Sequence, residues 1–241
     1  MKFLTKLAEK SKNLHADAAV TVVAFGDSVT QGCFECYKNG EKSVETEFDP
    51  GSAYSEKFVH ILRTLYPRAQ VNLVNSGISG DSATGGLARL DRAVLRYSPD
   101  LVIVGFALND STRGEAGLPT YTDALRKIFT AVKESGSECI FLTPNMMNTY
   151  RNMHLTDDVS IGLAPAFAAI QNGGILDKYV DAAKSVAAEC GVPVCDVYAR
   201  WKTMHAAGVD TTALLANYLN HPTREMHWLT ANALIETVFE A

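Results

Sequence analysis

Hydrophobic residues along this chain fall into short dense runs separated by longer stretches in which they recur every three or four positions. The dense runs cover residues 19–25, 70–75, 101–106, 138–143 and 192–197. Four of them are largely β-branched or aromatic and do not alternate with polar residues, as expected for strands buried on both faces. The intervening stretches read as amphipathic helices. Residues 54–65 carry Phe58, Ile61, Leu62 and Leu65, and residues 120–135 carry Tyr121, Leu125, Ile128, Phe129 and Val132 before Gly136 ends the pattern. Residues 176–190 place Tyr179, Val180, Ala183, Val186 and Ala187 on one face, with Gly191 at a helix end. A last helix is predicted over 224–239, opened by Pro222-Thr223. Strand and helix alternate about five times, which predicts a three-layer α/β/α fold around a mainly parallel, flavodoxin-like five-stranded sheet.

Composition narrows the class. With 241 residues, 47% hydrophobic and 20% charged, the chain can bury a sizeable core. The absence of a linker or composition shift predicts one domain over 1–241, with 1–18 as an N-terminal extension or helix. The first twenty residues have scattered charges and no continuous apolar core, and no run of about 18 apolar residues occurs anywhere, so a cytoplasmic location and no membrane partner are expected. A net charge of −5 without clustered Lys and Arg argues against nucleic acid as a partner. Five cysteines, an odd number, fit a reducing compartment better than a disulfide framework. The Cys33-Phe34-Glu35-Cys36 spacing lacks a second ligand pair and reads as a loop thiol and a core thiol. No HExxH spacing appears, so neither a catalytic metal nor a cofactor is expected.

In such folds ligands bind beyond the carboxyl ends of the strands. The first strand runs into Gly26-Asp27-Ser28-Val29-Thr30-Gln31-Gly32, which sets a hydroxyl at a strand-to-helix junction. Ser28 is therefore a candidate nucleophile, although an N-cap serine is an ordinary occupant of such a junction. The second strand leads into Asn75-Ser76-Gly77-Ile78-Ser79-Gly80-Asp81, where glycine lets the backbone approach a ligand. After the third comes Ala107-Leu108-Asn109-Asp110, offering a non-titrating amide donor. Near the C-terminus, Asn220-His221-Pro222-Thr223 holds a histidine ahead of a helix, suited to a general base. Taken singly, each of these has a bland reading as a turn, cap or surface residue.

Together and in this order, the four blocks resemble the SGNH hydrolases, the GDSL-like esterases and lipases. The resemblance implies Ser28 as nucleophile, Gly80 and Asn109 as oxyanion donors beside the Ser28 amide, and His221 as base. Gly85-Gly86-Leu87-Ala88-Arg89-Leu90 also looks like family members with thioesterase or lysophospholipase activity. Two departures stand out. Ala107 replaces the glycine of the family's GxND loop, and Tyr218 stands where the family's DxxH motif has its orienting aspartate. Asp210, folding back along the same loop, is the candidate replacement; Asp196, a backbone carbonyl, Asn217 or an acid-free dyad are the alternatives. The implied activity is hydrolysis of a small-molecule ester, of short acyl length and including O-acetylated sugars, through a Ser-His acyl-enzyme. A lysophospholipase or acyl thioesterase of the same fold, an FMN-binding flavodoxin-like protein and a catalytically degenerate binding member are the rival expectations. Segments 33–52 and 145–175 are read as long loops able to wall a pocket, the second with Met146, Met147, Tyr150, Met153 and His154.

Overall fold

A computed structural model describes residues 1–15, 18–40 and 44–241. Its central sheet contains β1 (Val20–Gly26), β4 (Val71–Gly77), β5 (Leu101–Gly105), β6 (Glu138–Leu142) and β7 (Val194–Cys195). The spatial order is β4-β1-β5-β6-β7, and every pairing is parallel. This is the flavodoxin-like order, in which strand order reverses between the first and third sheet strands. β1, β5 and β6 are buried along nearly their whole length, as non-alternating apolar runs require. The last run shrinks to two residues: Pro193 can accept but not donate a ladder hydrogen bond, and the Asp196 side chain caps the next helix through Ala199 N–H at 3.0 Å.

Helices cover both faces. On one, α10 (Met226–Glu240) packs against α3 (Tyr54–Leu65) and α9 (Val197–Ala206); on the other, α6 (Leu118–Glu134) lies between α4 (Ala83–Ala93) and α8 (Ile175–Glu189). The N-terminal segment forms α1 (Lys2–Lys12), which buries Phe3 and Leu7. Its first two amide groups donate to the Glu138 carboxylate at 3.0 and 2.7 Å. One continuous apolar core runs from α1 to α10. Among the described residues, no single helix is long and apolar enough to cross a membrane.

Two segments read as loops contain regular elements. Residues 33–52 contain an antiparallel ribbon of β2 (Cys33–Lys38) and β3 (Val44–Phe48), followed by a 3-10 turn at Pro50–Ser52. Residues 145–175 contain α7 (Asp158–Asn172), whose N-cap Asp157 accepts from Ser160 N–H at 2.7 Å. α4 escapes a propensity reading because Gly85 and Gly86 lie in it. Packing demands both glycines: a Cβ at 85 would come within 1.9 Å of Asp81 Oδ1, and one at 86 within 2.6 Å of the Phe106 ring.

Candidate active site

The register of the parallel sheet aligns Gly26 at the end of β1 with Gly77 on one side and Gly105 on the other. Ser28, Gly80 and Asn109 therefore leave the sheet at the same edge, two to four residues beyond paired strand ends. Ser28 opens the one-turn helix α2 (Ser28–Gln31), capped by Asp27, whose carboxylate accepts from Val29 N–H at 3.0 Å. At the first helical position, the Ser28 amide has no intrahelical acceptor and is free to face a ligand.

Ser28 and His221 are both buried, at 4% and 5% exposure, and Ser28 Oγ lies 3.0 Å from His221 Nε2. The other ring nitrogen, Nδ1, lies 3.0 Å from the Phe34 backbone oxygen. A carbonyl oxygen can only accept, so Nδ1 carries the proton and the Nε2 lone pair faces the serine hydroxyl, the tautomer a general base needs. Burial pushes the His221 pKa down to about 4, partly opposed by the hydrogen bond to Phe34. The ring is neutral at ordinary pH.

Asp210 does not orient this ring. Its carboxylate accepts from the Tyr150 hydroxyl at 2.6 Å and from Ala213 N–H at 3.1 Å, and the Nδ1 position is taken by Phe34. Asp196 caps α9 and pairs with Lys184 at 2.5 Å. Asn217 acts on the backbone instead of the ring: its Oδ1 accepts from the amides of Leu219, Asn220 and His221 at 3.0, 2.9 and 3.0 Å. The turn it closes holds Tyr218 at φ 54°, a left-handed conformation that costs a non-glycine residue energy. Asn145 Nδ2 pins the same turn through Asn220 O at 2.9 Å.

At the positions expected to supply oxyanion donors, Gly80 adopts φ 76° with open space where a Cβ would lie, and is exposed. Asn109 Nδ2 donates to Asp81 O at 2.8 Å, which fixes the amide plane while its second hydrogen stays available. Residues whose importance the sequence did not reveal hold this rim. Buried Arg89 binds Asp81 Oδ2 through Nε at 2.7 Å, Ser76 O at 2.8 Å and Gly26 O at 3.0 Å, joining the ends of β1 and β4. Buried Asp110 accepts from Ala83 N–H at 3.0 Å, linking the Asn109 turn, the short helix α5 (Leu108–Ser111), to α4. Burial raises Asp110 to about 6 and Asp27 to about 7. The signal for Arg89 was an arginine amid small residues in a helix, which becomes legible only when its acceptors are known to converge there.

Two hollows adjoin the site. A cavity of about 30 Å³ is lined by Asp27 and Val29, which flank the serine, and by Ala107, Leu108 and Pro144. A cleft of about 420 Å³ is lined by Glu35, Cys36, His154, Asp157, Asn217 and Tyr218. Along it the His154 and Tyr218 rings lie 5.7 Å apart. The Cys33 and Cys36 thiols are free; burial raises both, Cys33 to about 12, and no cluster of metal-binding side chains occurs among the described residues.

The chain is 33% identical over 87 residues to the arylesterase of Vibrio mimicus, covering 34% of this chain and 43% of that protein. It is 29% identical over 128 residues to the acetylxylan esterase of Geobacillus stearothermophilus, covering 49% and 57% respectively. The alignments thus span about half the length of these relatives. A crystal structure of that acetylxylan esterase superimposes with a TM-score of 0.68 at 24% identity, covering 92% of this chain and 94% of the other. An alpha/beta hydrolase from the metagenome of Lake Arreo, Spain, also gives 0.68 at 24% identity, covering 92% and 97%. At that identity the likeness establishes the fold. The profile of the GDSL-like lipase/acylhydrolase family matches residues 24–229, from β1 into α10, and to that family this chain belongs.

Proposed function

We propose that this protein is a serine esterase acting on short-chain carboxylic esters, O-acetylated sugars among them, with Ser28 as nucleophile and His221 as base. The observation that carries the reading is the pair of 3.0 Å contacts running from Ser28 Oγ through the His221 ring to Phe34 O. In this reading His221 Nε2 takes the hydroxyl proton as Oγ attacks the ester carbonyl. The tetrahedral oxyanion is held by the amides of Ser28 and Gly80 and by Asn109 Nδ2. Collapse expels the alcohol, which receives the proton from His221. Water, deprotonated by the same ring, then releases the acid and regenerates the serine.

The relatives named arylesterase and acetylxylan esterase agree with short-chain and acetylated esters as substrates. Residues 1–241 act in this reading as one domain, in keeping with the continuous core. The test is a series of p-nitrophenyl esters from acetate to decanoate, together with acetylated xylo-oligosaccharides, assayed on wild type and Ser28→Ala. Acetate should be preferred and all turnover should vanish in the variant. Turnover that survives Ser28→Ala overturns the nucleophile, and preference for long chains overturns the substrate class in favour of a lipase.

A further inference from the structure

The carbonyl that holds His221 belongs to a ribbon outside the main sheet, so its position depends on whatever ties that ribbon to the histidine. One side chain touches the ribbon at three places. Arg224, three residues beyond His221, lies with its guanidinium carbon 4.2 Å from the centroid of the Phe34 ring. Its Nη1 donates to Glu35 Oε1 at 2.7 Å, and its Nε donates to Asp49 Oδ2 at 2.9 Å. Glu35 follows Phe34 on β2. Asp49 closes the ribbon, its amide donating to Gly32 O at 2.8 Å. His227, from the first turn of α10, also packs on fully buried Phe34, ring centroids 4.9 Å apart at 48°. That ring is fixed in turn by Tyr54 N–H, which donates to His227 Nδ1 at 2.8 Å. The chain therefore closes on itself: His221 rests on the Phe34 carbonyl, and the residues just after His221 grip the Phe34 side chain and its neighbours.

We propose that Arg224 is a positioning residue for the base, clamping Phe34 so that its carbonyl does the orienting work of the carboxylate missing at Tyr218. The inference rests on the reading of Ser28 and His221 as nucleophile and base. An arginine suits the task because its planar fork binds two carboxylates and stacks on a ring at once, which a lysine ammonium does not reproduce. The ion pairs are partly exposed, with Arg224 at 33%, Glu35 at 50% and Asp49 at 35% side-chain exposure. Such pairs contribute little to global stability, so loss of the clamp should be felt in the site more than in the melting temperature.

The test uses wild type, Arg224→Met, Arg224→Lys, Phe34→Leu and the Arg224→Met/Phe34→Leu double variant. Rates are expressed per active site titrated with a fluorophosphonate, so that misfolded protein does not count. Arg224→Met should lower kcat for p-nitrophenyl acetate about 10- to 100-fold with KM little changed, the range a small misplacement of a catalytic group produces. Arg224→Lys should recover part of the loss. In the Phe34→Leu background, where no aromatic face remains to clamp, Arg224→Met should cost less than about threefold, because coupled residues are not additive. A second readout needs no turnover: the downfield proton resonance of His221 Nδ1–H, assigned by its absence in His221→Gln, should broaden or vanish in Arg224→Met. If wild type hydrolyses no ester, the functional reading fails, and the resonance still decides the clamp. Arg224→Met with wild-type kcat, full additivity with Phe34→Leu, or an unchanged Nδ1–H resonance would each overturn the proposal.

Discussion

A base held by a carbonyl and not a carboxylate should keep working in acid. In a Ser-His-Asp arrangement the carboxylate stabilises the imidazolium. Here the ring is buried, its Nδ1 partner is the neutral Phe34 carbonyl, and burial brings the pKa from 6.5 to about 4. At 1.36 kcal/mol per tenfold, that is roughly 3 kcal/mol set against the imidazolium. In the proposed mechanism the unprotonated ring is the active form, so kcat/KM should rise with pH through a limb near 4 and be flat well below the ordinary histidine range.

Buried carboxyl groups at the serine's own junction and in the Asn109 turn should set the other limb. Asp27 and Asp110 are buried, with Asp81 and Arg89 beside them, and Asp27 ionises at about 7. A negative charge next to Ser28 opposes an oxyanion, so activity should decline severalfold as pH passes 7. Asp27→Asn keeps an oxygen for Val29 N–H and should remove that decline. The assay is kcat/KM for p-nitrophenyl acetate from pH 3.5 to 9, corrected for spontaneous hydrolysis and accompanied by circular dichroism to exclude unfolding. An acid limb near 6.5 in folded protein would mean that Nδ1 faces water or a carboxylate, and the carbonyl-held base would have to be abandoned.

Two further outcomes are expected. In the proposed mechanism Asn109→Ala removes one oxyanion donor, so it should lower kcat about 10²- to 10³-fold. Its circular dichroism spectrum should be that of wild type; near-normal turnover would remove Asn109 from the oxyanion site. Asp110→Asn probes stability. The folded pKa of about 6 lies above the unfolded 3.8, so the native state holds a proton that the unfolded state has lost. The stabilisation this brings is fully present below 3.8 and disappears as pH rises through about 6. The amide copies the neutral acid at every pH, so the variant should exceed wild type by up to about 3 kcal/mol at pH 8 and match it near pH 3.5, as read from urea unfolding. Equal stability at pH 8 would show that the buried carboxyl is not strained by its charge.

The layers of the fold were legible because burial on both faces leaves a mark on residue type. The runs at 19–25 and 101–106 are apolar without alternation for that reason, and α3 runs over the predicted 54–65 because its buried stripe repeats with helical period. Where packing overrides propensity the pattern fails. α4 contains two glycines that a helix reading discourages and that Asp81 and Phe106 require. β2 and β3 lack a buried face along most of their length; Val44-Glu45-Thr46-Glu47-Phe48 alternates, but β2 shows no such period and a single five-residue alternation does not mark a ribbon.

The same distinction governs the site. Ser28, Asn109 and His221 are side chains, and a motif can display them. The group that holds His221 is a main-chain oxygen 187 residues away, which every residue type possesses and which therefore leaves no trace in the choice of residue. Tyr218 showed only that an acid was absent. Asp210 was a reasonable substitute by distance along the chain, yet a carboxylate exposed to solvent and engaged with Tyr150 has no cause to desolvate beside a buried ring. A carbonyl already buried in a ribbon incurs no such cost. What it lacks is a means of staying in place, and that requirement returns to side chains, as Arg224 and His227 on Phe34.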